Sequence, residues 1–395
     1  MGARILLAGG GTGGHLYPAL NLAAALRAAR PDLELMLVGA SRGIEARVLP
    51  GAGVPYRLLP MEPLYRSRPL RNWRVITTAP AVLAGLRQVF RELDPQVVVG
   101  TGGYASGPAV LYGLLSGRRT ALQEQNAIPG LVTRRLASRV DRVFLGYPEA
   151  ADHLVAGRNT RVLAWGNPVA VPVERDRRRR GGGGDRGDGF RWPAGRLVAV
   201  IGGSQGARGL NDLLAADLLQ ATSWPDNTTL VWITGPGHFE PVSEAVAATR
   251  WADRIVTVPW VDNLGARLSG LSLVISRAGA MFCSELAAAG VPAVLVPFPA
   301  AAGDHQTHNA AALESAGAAV MLEERAMKRG ELWGEVLELL AEEERLLRMA
   351  TEMASRGRPD AAERIAGELL DLASVELARA DGSTLVEDLS VATDV

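Results

Sequence analysis

Short apolar runs alternate with longer amphipathic stretches along most of this 395-residue chain. Residues 5–8, 33–38, 56–59, 96–99, 120–122, 142–145 and 161–164 are brief and nearly all apolar, as strands covered on both faces must be. Stretches with helical spacing separate most of them, beginning at residues 19–29. From Glu174 to Arg196 the periodicity stops, and the chain reads ERDRRRRGGGGDRGDGFRWPAGR, glycine and charge that cannot form a core. The pattern then restarts, with runs at residues 197–201, 229–233, 255–258, 273–275 and 293–296. This predicts an α/β protein of two parallel-sheet units, each with right-handed crossovers and its functional residues on loops beyond the carboxyl ends of the strands.

The turn after the first run reads GGGTGGHLYP, residues 9–18, between a strand and a helix. Glycines let backbone N–H groups approach a ligand, and the helix start adds a positive dipole end, so the turn suits a pyrophosphate or the transition state of a sugar transfer. Gly9, Gly11 and Gly14 also meet the dinucleotide spacing G-x-G-x-x-G. That reading requires an acidic residue near the end of the second strand, where the chain has Gly39, Ala40 and Ser41. A nucleotide-triphosphatase loop requires a lysine, and the only lysine is Lys328.

Further loops share this position after a strand. TGGYASGP, residues 101–108, is either a second anion cradle or a plain tight turn. QEQNAIPG, residues 123–130, offers Glu124, Gln125 and Asn126 for sugar hydroxyls or for helix capping. In the second half GGSQGARGLN, residues 202–211, repeats the glycine turn. A helix starting near Gly279 would point free N–H groups at a diphosphate, with Glu285 two turns in, placed for both ribose hydroxyls. Asp304, His305, Gln306 and Asn309 form a polar cluster past the next strand.

Composition narrows the partners. Lys and Arg number 42 against 42 Asp and Glu, which gives no global attraction to nucleic acid. The single cysteine, Cys283, excludes an internal disulfide and fits an intracellular protein. The apolar start is too short for a signal peptide, and the run at residues 286–302 is broken by Gly290, Pro292, Pro297 and Pro299, so no membrane span is expected. Residues 68–91 mix Trp73, Val75, Ile76, Val82, Leu83 and Leu86 with Arg68, Arg71, Arg74 and Arg87. Pattern alone favours a core helix with a solvated face over a face for an anionic bilayer.

Seven stretches in order, GGGTGGHLYPAL, TGGYASGP, EQNAIPGL, GNPV, GGSQGARGLN, SRAGAMFCSELAAAGVPAVLVPFP and GDHQTHNA, resemble the MurG family of bacterial N-acetylglucosaminyltransferases from Arg4 to about Leu372. The resemblance implies a GT-B fold, two Rossmann-like domains facing across a cleft. It also implies an inverting, metal-independent transfer of GlcNAc from UDP-GlcNAc to undecaprenyl-pyrophosphoryl-MurNAc-pentapeptide, with no cofactor. The implied layout is an acceptor and membrane-facing domain at residues 1–168, a flexible linker at 169–196 and a donor domain at 197–357. A helix at 358–373 would pack back on the first domain, followed by a disordered acidic tail at 374–395.

In the donor domain the resemblance puts Ser204 at the phosphate and Val261 at the uracil through its backbone. Ala280, Met281, Phe282, Cys283, Ser284 and Glu285 would line phosphate and ribose, and Gln306 would meet the sugar. From the first domain Thr12, Gly13, Gly14 and Asn126 would close over the GlcNAc, while Gly10, Gly11, Gly102, Gly103 and Tyr104 would carry the acceptor pyrophosphate. The chain departs from the family at Ala170, where arginine is usual, and at Phe282 and Cys283, where a threonine is usual. The implied location is peripheral, on the cytoplasmic face of the plasma (inner) membrane, with anionic lipid and proteins of cell-wall synthesis and division as partners. A polyprenyl acceptor makes residues 68–91 the candidate docking face.

Inverting transfer needs a base for the acceptor hydroxyl, and His15 is the candidate. The helix start should keep its ring neutral; the alternative is that His15 only packs the turn. Two other functions stand beside this one: a GT-B enzyme with a different acceptor, and a nucleotide-sugar-binding protein without catalysis.

Overall fold

The structure is a computed structural model that describes residues 2–64, 69–170, 190–203 and 205–380. The first sheet contains β1 (Arg4–Ala8), β2 (Glu34–Ala40), β3 (Tyr56–Leu59), β4 (Val97–Gly100), β5 (Arg119–Glu124), β6 (Arg142–Leu145) and β7 (Arg161–Leu163). The second contains β8 (Arg196–Ile201), β9 (Thr228–Ile233), β10 (Ile255–Val258), β11 (Leu273–Ser276), β12 (Ala293–Leu295) and β13 (Ala319–Met321). All pairings are parallel, in the orders β3-β2-β1-β4-β5-β6-β7 and β10-β9-β8-β11-β12-β13.

The two orders are the same doubly wound arrangement, so the expected pair of Rossmann-like sheets is what the chain forms. Each reverses direction beside its first strand, between β1 and β4 and between β8 and β11, and at such switch points the diverging loops leave a crevice. β13 was not among the expected runs, because three residues are too few to set a period.

Helices cover the sheets. In the first unit they are α1 (Gly13–Ala29), α2 (Glu45–Val48), α3 (Trp73–Leu93), α4 (Gly103–Leu115) and α5 (Leu131–Leu136). In the second they are α6 (Arg208–Gln220), α7 (Phe239–Ala247), α8 (Ala280–Ala289), α9 (His305–Ser315), α10 (Glu331–Ala341) and α11 (Glu343–Arg356).

The last helix, α12 (Ala361–Ala380), leaves the second unit and lies on the first. Its Ile365, Leu369 and Leu372 are buried in one cluster with Leu16, Leu22 and Leu26 of α1, and each such side chain contributes about 1.5–3 kcal/mol. Glu368 fastens the helix to the sheet, meeting Arg142 at 2.5 Å and Arg161 at 3.2 Å. The helix runs on to Ala380, so residues 374–380, expected to open the tail, are helical instead. Most of the expected linker, residues 171–189, lies outside the described residues, as do Arg68, Ser204 and residues 381–395 of the expected tail.

Candidate active site

The first glycine loop joins β1 to α1, and behind it lies a carboxylate that the sequence reading missed. Glu45, at the start of α2, is fully buried. Its Oε1 accepts the Gly11 N–H at 2.7 Å and the Ala40 N–H at 3.3 Å. The acid that a dinucleotide fold places at the end of its second strand is thus present in space, four residues beyond the stretch at Ser41 where it was sought. It is turned onto the loop, where it occupies a backbone donor that a phosphate would use. The Gly11 N–H is thereby engaged by Glu45. The donors that remain at this loop are at the first turn of α1, at Gly13 and Gly14.

The second glycine loop, between β4 and α4, packs directly on the first. A Cβ on Gly103 would collide with the Gly10 carbonyl, and one on Gly11 would lie 2.6 Å from the Tyr104 ring. Gly102 has φ +92° and would put a Cβ 2.5 Å from His15 Cδ2, so the imidazole lies against this glycine. The two loops form one surface under His15.

Thr12 is the N-cap of α1, yet its hydroxyl makes no capping bond and lies 2.9 Å from His15 Nδ1. Burial draws the His15 pKa from 6.5 to about 4, and His305 of the other domain adds a smaller repulsion in the same direction. The ring is neutral at pH 7, as expected. The leading cause is corrected, however, because desolvation rather than the helix dipole comes first.

The loop after β5 is built around Glu124. Its oxygens accept from Asn126 N and Nδ2 at 3.2 Å, Gly130 N at 2.8 Å and Thr133 Oγ1 at 2.7 Å. This carboxylate organises the turn. Asn126 Oδ1 accepts from Asn309 Nδ2 at 3.3 Å, so the side chain meant for the sugar also touches the second domain. Asn309 is fully buried, and its Oδ1 accepts the Ala127 N–H at 2.9 Å. A second bridge joins Asn167 Nδ2 to Ser284 Oγ at 2.9 Å, continuing through Gln123 and Gln125 to the Thr101 carbonyl.

On the donor side, Gly279 caps α8 and the first intrahelical bond is Cys283 N–H to Gly279 O, at 2.9 Å. The N–H groups of Ala280, Met281 and Phe282 precede it and stay open to a ligand. The Cys283 side chain is buried in the core beside Tyr147, which leaves only its backbone towards a donor, and burial pushes its thiol up to about 12. The Ser284 hydroxyl donates to Ala280 O at 2.9 Å and accepts from Asn167.

Glu285 is half-buried near Gly265, and burial raises its carboxyl from 4.5 to about 7. Val261 is buried in the domain core, which leaves only its backbone towards a ligand. Gln306 Oε1 accepts the Phe298 N–H at 2.9 Å, which holds its amide at the strand end. Arg277 does not replace the arginine missing at Ala170, because its guanidinium is engaged by Val296 O, Pro297 O and Glu324.

The chain's two halves match the Glycosyltransferase family 28 N-terminal domain over residues 5–145 and the C-terminal domain of the same family over residues 197–365. The UDP-N-acetylglucosamine--N-acetylmuramyl-(pentapeptide) pyrophosphoryl-undecaprenol N-acetylglucosamine transferase of Moorella thermoacetica is 40% identical over 370 residues, 92% of this chain and 97% of that one. The chain belongs to glycosyltransferase family 28 and, within it, to the MurG family. The like-named transferase of Listeria monocytogenes is 32% identical over 373 residues, covering 93% of this chain and 99% of that one. In fold, the chain is similar to Acinetobacter baumannii MurG, with a TM-score of 0.72 and 23% identity over 94% of this chain and 99% of that one. MurG membership gives the two switch-point crevices one setting: family 28 halves on either side of a cleft.

One surface outside the cleft differs from the pattern-based expectation. α3 buries Val82, Leu86, Val89 and Phe90 but exposes Trp73 at 58% and Ile76 at 76%. The core reading therefore holds for the C-terminal turns of the helix and fails for its first turn. Arg74 lies 5.8 Å from the Trp73 ring, and Arg87 is exposed on the same helix. Arg68 and the side chain of Arg71 fall outside the described residues. Among the described residues no helix is long and apolar enough to cross a membrane.

Proposed function

We propose that this chain transfers GlcNAc from UDP-GlcNAc to the 4-hydroxyl of MurNAc in undecaprenyl-pyrophosphoryl-MurNAc-pentapeptide, with inversion at the sugar carbon. The observation that carries the reading is the meeting of both glycine loops under a neutral His15, in a family 28 chain whose relatives are named for this reaction. In the step, His15 takes the proton of the acceptor 4-hydroxyl while its oxygen bonds to the anomeric carbon. The bond from that carbon to the diphosphate breaks, and UDP leaves with the electron pair.

For Nε2 to accept that proton, Nδ1 must carry the other one, and the Thr12 hydroxyl 2.9 Å away is the partner that would fix this tautomer. Charge on the departing diphosphate falls to the open N–H groups at the start of α8. Glu285 reads the ribose hydroxyls, Val261 the uracil, and Gln306 the sugar. Gly13 and Gly14 offer donors over the GlcNAc, with Gly102, Gly103 and Tyr104 forming the adjoining acceptor wall.

The acceptor's pyrophosphate lies at the headgroup level of a bilayer, so the first domain works at the cytoplasmic face of the membrane without spanning it. The exposed first turn of α3, with Trp73, Ile76 and Arg74, is the docking face in this reading.

Purified protein incubated with UDP-GlcNAc and a short-chain analogue of the lipid acceptor tests the proposal. The disaccharide-linked lipid is the expected product. Turnover only with other acceptors would move the chain to a different substrate, and UDP binding without any transfer would leave a binding protein.

A further inference from the structure

The burial of Glu45 has a cost that the fold alone does not explain. Its side chain is fully buried, and Oε2 has no hydrogen-bond partner among the described residues. An apolar side chain of similar volume would fill the space without leaving a carboxylate oxygen unsatisfied. Three glycines are nonetheless shaped around it. A Cβ on Gly10 would collide with Oε1, one on Gly43 would lie 2.9 Å from Oε2, and one on Gly39 would lie 3.0 Å from Cγ. Part of the glycine content that resembles a phosphate loop is therefore room for this carboxylate.

The oxygen that is satisfied holds the one point of the loop that sets His15. Gly11 N–H donates to Oε1 at 2.7 Å, and Thr12 follows directly. The Thr12 carbonyl accepts the His15 N–H at 3.2 Å, and the Thr12 hydroxyl lies 2.9 Å from the ring. The His15 carbonyl in turn accepts from Thr101 Oγ1 at 2.8 Å, at the entrance to the second loop.

We propose that Glu45 is a positioning residue of the transfer: its carboxylate fixes Gly11, and through Thr12 it sets the His15 ring over Gly102 without touching either substrate. The inference rests on the transferase reading given above. It requires an acceptor oxygen at the reach of Glu45 and no particular charge there.

Three full-length variants test it, Glu45→Gln, Glu45→Asp and Glu45→Ala, with kcat and KM for both substrates, UDP affinity by calorimetry and the thermal midpoint measured for each. Glu45→Gln keeps an acceptor for Gly11 and should retain kcat within about threefold, whereas Asp, too short to reach, and Ala should lower it about tenfold to a hundredfold. UDP affinity should stay unchanged in all three, because UDP is held by the other domain. A folded Ala variant with normal kcat would overturn the proposal, as would a loss of UDP affinity matching the loss of rate. Where Ala does not fold, Asp against Gln decides: equal rates for the two, or a slower Gln, overturn it. A wild-type protein that transfers no GlcNAc defeats the transferase reading, while normal wild-type activity with indifferent variants defeats only the role of Glu45.

Discussion

Thr12 Oγ1 lies 2.9 Å from His15 Nδ1, so the residue that opens α1 orients the ring that follows it one turn later instead of capping its own helix. In the proposed transfer this pair supplies the base of a common strand–glycine–helix unit. His15→Ala should lower kcat by about a hundredfold or more, as loss of a general base does, with UDP affinity nearly unchanged. Single-turnover kinetics alongside calorimetry make the check. Near-normal turnover would leave His15 as a packing residue.

The depressed pKa of His15 also sets a pH dependence. Its folded value of about 4 lies below the ordinary 6.5, so protons favour the unfolded chain between the two. The stability held by neutral His15 is complete above 6.5 and is lost as pH falls towards 4. The thermal midpoint of wild type should therefore fall more steeply from pH 6.5 to pH 4.5 than that of His15→Gln, as read by calorimetric scans.

Glu285 behaves in the opposite sense. Burial raises its folded pKa from 4.5 to about 7, so its contribution to folding is fully present below 4.5 and is lost as pH rises through 7. Ribose hydroxyls donate to the ionised form, so UDP binding should tighten as pH rises from 6 to 8. Glu285→Gln should bind UDP more weakly and lose that slope, with a smaller penalty for the 2′-deoxy analogue. An unchanged slope in isothermal titration would remove Glu285 from ribose recognition.

At the membrane face, Trp73→Glu combined with Ile76→Glu should reduce co-sedimentation with anionic vesicles and slow turnover of a long-chain acceptor. Because Trp73 is 58% and Ile76 76% exposed, the thermal midpoint and turnover of a short soluble acceptor should hardly change. Equal binding of the double variant to vesicles would place the docking face elsewhere on the first domain.

Much of this was legible in the residues themselves. Val97, Val98 and Val99 read as a buried parallel strand because both faces are covered, and the glycine loops announced themselves by position after strands. What escaped was whatever depends on facing and distance. Glu45 meets a glycine 34 residues away, and no local spacing signals that pairing. Trp73 and Phe90 belong to one amphipathic helix, but only the path of α3 over the sheet decides that the first turn overhangs and the last is buried. Cys283 and Ser284 were assigned to the donor with their neighbours, and the phase of α8 turns one into the core and the other to Asn167. Asn309 stood in a recognised polar cluster, yet its bond to Ala127 exists only once both domains are folded.

The most direct test of the account is the structure of the product. The protein, UDP-GlcNAc and a short-chain acceptor lipid are combined with and without a chelator, and the new linkage is read by NMR after mass spectrometry confirms one added GlcNAc. The account predicts a β-linked disaccharide at the MurNAc 4-hydroxyl, formed at the same rate in both samples. An α-linkage, a different hydroxyl, a chelator-dependent rate or the absence of transfer would contradict it.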